Sequence, residues 1–181
     1  MKKKILISTG GSGGHVVPAI TIHDHLKDEY DVLISTELRG HKYLDSDIYK
    51  VFVVNTPKLN KLILLPFAII KVFFLTLKSL FLLKREKIEI LISTGGYMSL
   101  PLCLAAKMRN IKIFLLEPNM IIGRANRFFL NFCEKIICYD SNVIGFPDKF
   151  QNKLKISHPL IRKKYFDINY KADVDRIFTI I

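Results

Sequence analysis

The tetrapeptide Leu-Ile-Ser-Thr occurs three times in this chain, at residues 6–9, 33–36 and 91–94. Each copy closes a short apolar run that is rich in β-branched residues. Runs of this kind, separated by segments with helical periodicity, are typical of parallel strands that are buried on both faces. The repeat therefore predicts an α/β fold with a doubly wound, mainly parallel sheet of the Rossmann type.

The same patterns predict further elements along the chain. The basic start at Lys2 and the apolar residues after it begin like a signal peptide, but Ser8 ends the apolar stretch. A secretory segment needs roughly 7–15 apolar residues, so this stretch is interpreted as the first buried strand. Other strands are expected near 51–55, 111–116, 135–139 and 153–157, and helices near 18–28, 66–84, 100–108 and 123–132.

The charge balance limits the kinds of partner. The chain has 28 Lys and Arg against 16 Asp and Glu, a formal net charge of +12. Such a field favours nucleic acid, an anionic lipid surface or a phosphorylated substrate. Because aromatic residues next to basic ones lie mainly in very apolar runs, lipid is favoured over nucleic acid. The 3 cysteines, irregularly spaced and without a CxxC pair, predict neither a disulfide framework nor a zinc site, and fit a reducing cytoplasm.

Two glycine-rich segments, 10–14 and 95–96, directly follow predicted strands. Glycines at such positions let backbone amides approach an anion, and a helix N-terminus adds a favourable dipole. The first segment has neither the dinucleotide-binding spacing nor the Gly-Lys-Ser/Thr of nucleoside-triphosphate loops, so phosphate or pyrophosphate is the expected ligand. The alternative is that both segments are only tight turns.

His15 and residues 117–127 supply the candidate polar groups. His15 is expected beside the bound anion, as a hydrogen-bond donor or a base, the alternative being a capping or surface histidine. Glu117 and Asn119 follow an apolar strand and are expected to face a cleft. Asn126 and Arg127 are expected to serve the following helix instead.

Taken together, Gly-Gly-Ser-Gly-Gly-His at 10–15, Gly-Gly-Tyr at 95–97 and the segment 117–127 resemble a known family. They are similar to the N-terminal domain of the undecaprenyl-pyrophosphoryl-muramoyl-pentapeptide N-acetylglucosaminyltransferases, in glycosyltransferase family 28. The resemblance covers nearly the whole chain. It implies the N-terminal half of a GT-B glycosyltransferase, with a Rossmann-like acceptor-binding domain at 1–170. Residues 171–181 would begin a donor-binding domain; the alternative is that 176–181 form an edge strand of the same sheet.

The resemblance implies inverting transfer of N-acetylglucosamine (GlcNAc) from UDP-GlcNAc to undecaprenyl-pyrophosphoryl-N-acetylmuramoyl (MurNAc)-pentapeptide, without a cofactor or a metal. It also implies that this half is inactive alone. By the same resemblance, His15 is catalytic, the donor or its phosphates contact Ser12, Gly13, Gly14, Asn119 and Arg162, and the acceptor contacts Gly95, Gly96, Tyr97 and Glu117.

Two other readings stay open. One is a non-catalytic membrane-anchoring subunit of a two-chain glycosyltransferase. The other is a nucleotide-binding oxidoreductase, which is disfavoured by the glycine spacing and by Thr36, since an acidic residue is expected at the end of the second strand.

The apolar run 62–83 is nearly as long as the ~20 residues that span a bilayer. Lys71 and Lys78 argue against spanning, because each would cost about 2.5–3.5 kcal/mol at the membrane centre. With Arg85 they recur every seventh residue, so they share one side of a helix that is expected to lie in the membrane interface. A core helix packed on the sheet is the alternative. The resemblance implies a location at the cytoplasmic face of the bacterial inner membrane, and membrane contacts are expected from Lys71, Phe74, Lys78, Phe81 and Arg85.

Overall fold

The computed structural model describes residues 2–56 and 65–162. Seven strands form one sheet in the order β3-β2-β1-β4-β5-β6-β7, and each neighbouring pair is parallel. The predicted doubly wound parallel α/β sheet is confirmed. The strands are β1 (Lys4–Ser8), β2 (Asp31–Thr36), β3 (Val51–Val53), β4 (Ile90–Ser93), β5 (Lys112–Glu117), β6 (Lys135–Cys138) and β7 (Leu154–Ile156).

The α-helices of the described segments are α1 (Gly13–Leu26), α2 (Leu38–His41), α3 (Leu65–Arg85), α4 (Leu100–Met108) and α5 (Arg124–Phe129), with 3₁₀ turns at Tyr97–Ser99 and Asp148–Lys153. The predictions of α3 and α4 are confirmed. The predicted start of α1 at Pro18 is wrong, because Gly13 and Gly14 already form its first turn behind the N-cap Ser12. The four-residue α2 was not predicted, and α5 ends three residues before the predicted end.

The three Leu-Ile-Ser-Thr copies lie side by side at the centre of the sheet. Ser8 of β1 pairs in register with Ser35 of β2 on one side and with Ser93 of β4 on the other. The leucine and isoleucine of each copy are aligned in the same way. Because side chains alternate between the faces of a strand, the repeat places a row of leucines on one face and a row of isoleucines on the other.

The two rows nucleate cores on opposite faces of the sheet. Leu6, Leu33 and Leu91 are fully buried in the larger cluster, which also contains residues of α3, α4 and α5. Ile7 and Ile34 belong to two smaller clusters on the α1 side. The sheet is therefore covered on both faces, as a parallel sheet requires.

The helix α3 has an unusual distribution of side chains. Its buried stripe contains small or polar residues, whereas its large apolar residues are mostly exposed. By length and composition it could cross a membrane: Pro66–Arg85 contains an 18-residue stretch with a mean hydropathy of 1.9, of which 33% is buried. The buried stripe consists of Ala68, Val72, Thr76, Ser79 and Leu83; the exposed large apolar residues are Phe67, Ile69, Ile70, Phe73, Phe74, Leu77 and Phe81.

The C-terminal predictions concern residues that the structure does not describe. The expected strand at 176–181 and the boundary between 170 and 171 both lie outside 2–56 and 65–162.

Candidate functional site

The order of the strands fixes where a site can form. From β1 the chain moves through β2 to β3 and then returns to β4 on the other side of β1. In open α/β sheets, ligands bind at the carboxyl edge where the direction of winding reverses, because neighbouring loops diverge there and leave a crevice. Here the loops are the two glycine segments, 10–14 after β1 and 95–96 after β4.

His15 links the two glycine loops. Its Nδ1 lies 2.8 Å from the backbone oxygen of Thr94, and Thr94 Oγ1 donates to the backbone oxygen of His15 at 3.1 Å. Since a carbonyl oxygen only accepts, Nδ1 carries the ring hydrogen, and the neutral imidazole keeps its lone pair on Nε2. The ring is thus oriented with a proton-accepting nitrogen available to the cleft.

Glycines surround this imidazole for steric and conformational reasons. A Cβ added at Gly10 would lie 2.9 Å from Cδ2 of His15, too close for the ring to keep its position. Gly95 and Gly96 have φ angles of +91° and +85°, a region that strains residues with a Cβ. These three glycines are needed for the geometry of the ring and of the second loop.

The first glycine loop presents the N-terminus of a 14-residue helix. Ser12 is its N-cap, without a side-chain capping hydrogen bond, and its backbone oxygen accepts from the N–H of His15 at 3.0 Å. The N–H groups of Gly13 and Gly14 belong to the first turn, where intrahelical acceptors are missing. Nothing lies within 4 Å of a Cβ added at either glycine, so this turn is open to an anion.

The second strand ends at Thr36, as expected, and Glu37 is the N-cap of the next helix. It follows Thr36 by one position, is buried, and accepts hydrogen bonds on Oε1 from Nε of Arg39 at 2.9 Å and from Nη2 of the same residue. The oxygen engaged by Arg39 also lies under Gly11, where an added Cβ would come within 2.0 Å of it. The carboxylate is therefore committed to the loop and to Arg39 instead of to a cofactor ribose.

Glu117 organises the third polar segment. It is 2% exposed, and its oxygens accept four hydrogen bonds. Oε1 accepts from the backbone N–H of Asn119 at 3.3 Å and from its Nδ2 at 2.9 Å. Oε2 accepts from the N–H of Gly123 at 2.7 Å and from Nδ2 of Asn126 at 3.0 Å. Glu117 therefore holds the loop between β5 and α5 in place and has little capacity left for a ligand.

Asn126 was assigned to its own helix from the sequence, and that interpretation is wrong. It is 2% exposed and forms part of the cleft wall. Its Nδ2 donates to Glu117 and to the backbone oxygen of Leu116 at 3.1 Å, which fixes the amide orientation. Its Oδ1 is buried and has no hydrogen-bond partner in the part of the chain that the structure describes. Only the tertiary contact with Glu117 distinguishes Asn126 from an ordinary helical asparagine.

These elements enclose a cleft of about 780 Å³, within the usual range of about 300–1,000 Å³ for small-molecule sites. One wall is polar and the other, from α4 and α5, is largely apolar. The lining residues are His15, Gly95, Gly96, Tyr97, Leu100, Leu104, Glu117, Asn119, Gly123, Arg124, Ala125, Asn126 and Phe128.

The structure gathers most of the predicted site residues but not all of them. His15, Tyr97 and Asn119 line the cleft, as do Gly95, Gly96 and Glu117. Ser12, Gly13 and Gly14 lie next to His15 at the start of α1.

Arg162 is placed elsewhere. Burial raises the pKa of the Tyr49 phenol, and the nearby charge of Arg162 opposes the rise. Tyr49 stacks edge-on against His23 of α1, with ring centroids 4.8 Å apart, so Arg162 lies beside α1 and not in the cleft wall.

The cysteines near the cleft are not nucleophiles at neutral pH. Burial raises the pKa of the Cys138 thiol to about 11, and the charge of Glu117, its neighbour in the pairing of β5 with β6, adds to the rise. Burial raises the pKa of Cys103 to about 12. Since the thiolate is the reactive form, neither thiol is a candidate nucleophile.

Comparison with known proteins gives consistent results. Residues 5–138 match the model of the glycosyltransferase family 28 N-terminal domain. The UDP-N-acetylglucosamine--N-acetylmuramyl-(pentapeptide) pyrophosphoryl-undecaprenol N-acetylglucosamine transferase of Pelagibacter ubique is 49% identical over 183 residues, covering 100% of this chain and 51% of the relative. The transferase of the same name from Rickettsia canadensis is 31% identical, covering 98% and 51%.

A crystal structure of MurG from Acinetobacter baumannii has the same fold, with a TM-score of 0.74 at 19% identity. The match covers 93% of this chain and 50% of that one. The chain spans about half the length of the curated relatives it matches.

Proposed function

The chain belongs to the glycosyltransferase family 28 N-terminal domains, and on that premise we propose that it is the acceptor-binding half of a peptidoglycan-precursor glycosyltransferase. The reaction transfers GlcNAc from UDP-GlcNAc to undecaprenyl-pyrophosphoryl-MurNAc-pentapeptide. The names of the two relatives support this substrate pair. The observation that carries the proposal is the His15 imidazole, held between two glycine loops at the point where the sheet reverses its winding.

The chemistry assigned to the cleft is an inverting displacement. The 4-hydroxyl oxygen of the muramoyl sugar forms a bond to the anomeric carbon of GlcNAc while the bond from that carbon to UDP breaks. Nε2 of His15 takes the hydroxyl proton, because its Nδ1 is already committed to Thr94. Proton transfer to such a positioned base contributes typically 10²–10⁴-fold to a rate.

The other polar groups bind and orient. The open N–H groups at Gly13 and Gly14 hold phosphate oxygens, supported by the α1 dipole. Asn119 contacts the donor sugar, and Gly95, Gly96 and Tyr97 contact the acceptor. The unpaired Oδ1 of Asn126 is the acceptor for a substrate N–H or O–H group, because a buried polar atom without a partner is costly.

The outer face of α3 supports the proposal that the protein works at the cytoplasmic surface of a bacterial inner membrane. Its phenylalanines, among them Phe74 and Phe81, are exposed together with Lys71, Lys78 and Arg85. Apolar side chains bordered by cations suit an interfacial helix on anionic lipid. A polyprenyl-linked substrate is found at that surface.

A fusion protein tests the proposed activity. Residues 1–170 would be joined to the donor-binding half of the Pelagibacter ubique relative, and transfer of labelled GlcNAc to a lipid-linked muramoyl acceptor would be measured. The fusion is expected to turn over. His15→Ala should lower kcat by about 10²–10⁴-fold, whereas His41→Ala, a histidine on α2 outside the cleft wall, should retain activity.

Two outcomes would count against the proposal. Equal activity of the His15→Ala and His41→Ala fusions would remove His15 from catalysis. A folded fusion that binds the lipid-linked acceptor but never transfers sugar would favour the alternative of a non-catalytic membrane-anchoring subunit.

A further inference from the structure

The cleft has an apolar half that the glycosyl transfer step does not use. Leu100 and Leu104 lie one turn apart on α4, and Phe128 faces the same cavity from α5. Phe128 is 53% exposed although it borders the cavity. Phosphates, hydroxyls and amides dominate the surfaces of a nucleotide sugar and a muramoyl peptide, whereas the polyprenyl chain is the wholly apolar part of the proposed substrates.

The apolar wall continues away from the glycine loops. Met108 follows Leu104 at the same helical spacing and is 65% exposed, and Phe132 lies in the turn after α5 with its ring 6.3 Å from that of Phe128. Residues four apart share a helix face, so Leu100, Leu104 and Met108 form one stripe of about 12 Å at 1.5 Å per residue. With Phe128 and Phe132 they border what we call the α4–α5 groove.

The groove lies between α4 and α5, on the same side of the sheet as α3. α3 and α5 lie on the same side of the sheet and contribute to the same core cluster, with α4 packed against α3. At the outer end of the groove, the ammonium of Lys107 lies 5.3 Å from the ring centroid of Phe132. The groove therefore runs from the polar end of the cleft toward a cation at the surface.

We propose that the α4–α5 groove binds the first isoprene units of the polyprenyl chain while the adjoining glycine loop at 95–96, which is assigned to the acceptor, binds its pyrophosphate. The inference rests on the proposed function, since it concerns the same acceptor. In a polyprenyl pyrophosphate the isoprene units are bonded directly to the phosphate, so the ligand has the same succession of polar and apolar parts as the cleft. Binding of this segment would draw part of the lipid out of the bilayer and fix the register of the sugar against His15.

Short prenyl pyrophosphates provide a direct test with the chain 1–181. Affinities for inorganic pyrophosphate, geranyl pyrophosphate and farnesyl pyrophosphate would be measured by calorimetry below the micellar concentration. Each prenyl compound is expected to bind at least about 10-fold more tightly than pyrophosphate, a ratio that burial of about two methylene groups supplies. In Leu104→Gln/Phe128→Ser the three affinities should become equal within about 3-fold.

A matched control separates the groove from the membrane face. Phe74→Ser/Phe81→Ser removes two exposed phenylalanines from α3 and should leave the prenyl advantage unchanged. Crosslinking of the unsubstituted chain with a photoreactive prenyl pyrophosphate should label peptides containing 100–108 or 124–132. This measurement does not depend on the folding of any variant.

The outcomes distinguish the two proposals. Pyrophosphate binding without a prenyl advantage, loss of the advantage in the α3 control, or labelling confined to 66–85 would overturn the groove assignment and leave the proposed function standing. Absence of binding by all three compounds would contradict both, because the glycine loops would then not bind a diphosphate.

Discussion

Glu117 holds one wall of the cleft in place, because its two oxygens accept hydrogen bonds from four donors. These donors belong to Asn119, Gly123 and Asn126, which together span the whole turn from β5 into α5. Hydrogen bonds to a charged acceptor are worth about 1.5–3 kcal/mol each when they are lost. Glu117 is therefore assigned as a positioning residue, although the resemblance implied an acceptor contact.

Replacing Glu117 by Gln is expected to lower the free energy of unfolding by about 2–4 kcal/mol. The new amide would point N–H groups at N–H donors, so part of the network would be left unsatisfied. The measurement is urea unfolding followed by circular dichroism. In the active fusion, the same variant should raise KM for the acceptor as well as lower kcat, because Asn119 and Asn126 would both lose their support.

Glu134→Gln is the matched control, since Glu134 is an exposed glutamate just before β6. It should change the free energy of unfolding by no more than about 0.5 kcal/mol, as is usual for surface substitutions. If both variants lost the same stability, the four hydrogen bonds would not have the role given to them.

Individual site residues could be predicted only where their position relative to a predicted strand indicates the carboxyl edge of the sheet. His15 follows the glycine loop after β1, and Glu117 is the last residue of β5, so the ends of these two strands already place them at the carboxyl edge. Asn126 is the third residue of α5, and nothing nearby in the sequence indicates that its amide donates a hydrogen bond to Glu117. The contact depends on how α5 packs, which a single sequence does not determine.

At the scale of elements, α3 is the helix whose composition and packing disagree most. A core helix places its largest apolar residues inward, whereas α3 buries Ala68, Thr76 and Ser79 and exposes all four of its phenylalanines. The buried small residues let α3 approach α4 closely. The outward aromatic face has no partner among the described residues, and an anionic membrane surface is the proposed one.

Charge reversal on α3 tests the proposed membrane contact. Lys71→Glu/Lys78→Glu is expected to lower binding to vesicles of mixed neutral and anionic lipid at least about 10-fold, since each cation near such a surface contributes about 1 kcal/mol. Flotation of the chain with the vesicles measures the effect. Lys112→Glu/Lys155→Glu changes the net charge equally at exposed strand positions, and it should reduce binding far less. Similar losses in both variants would indicate a diffuse charge effect without a membrane-facing helix.

The helix α1 begins earlier than local helix propensity predicts. Gly13 and Gly14 argue against a helix by propensity, so the pattern predicts a start near Pro18, although His15 itself is expected at the first turn of the helix. The structure nevertheless begins α1 at Gly13. The early start brings His15 into the first turn, where its backbone and ring both reach Thr94. The tertiary link between two loops outweighs the local preference.

At the scale of the whole molecule, the sheet could be predicted because a sequence repeat marks its three central strands. Three copies of one tetrapeptide occupy matching positions on β2, β1 and β4, so that leucine, isoleucine and serine rows cross the sheet. The edge strands lack this signal, and β3 and β7 are shorter than predicted. The cleft follows from the topology, but its volume and its apolar wall depend on the packing of α4 and α5.

The proposed division into acceptor and donor halves makes a quantitative prediction about activity. Residues 1–181 alone should transfer no GlcNAc above the buffer rate, because the nucleotide pocket is assigned to the donor half. A short linker gives its two modules an effective concentration of about 1 mM, so the two halves mixed at about 10 µM each should react about 100-fold more slowly than the fusion. Initial rates at increasing concentration of the donor half would rise linearly over this range. Turnover by residues 1–181 alone would show that the described cleft already holds the donor, and the division into two halves would have to be abandoned.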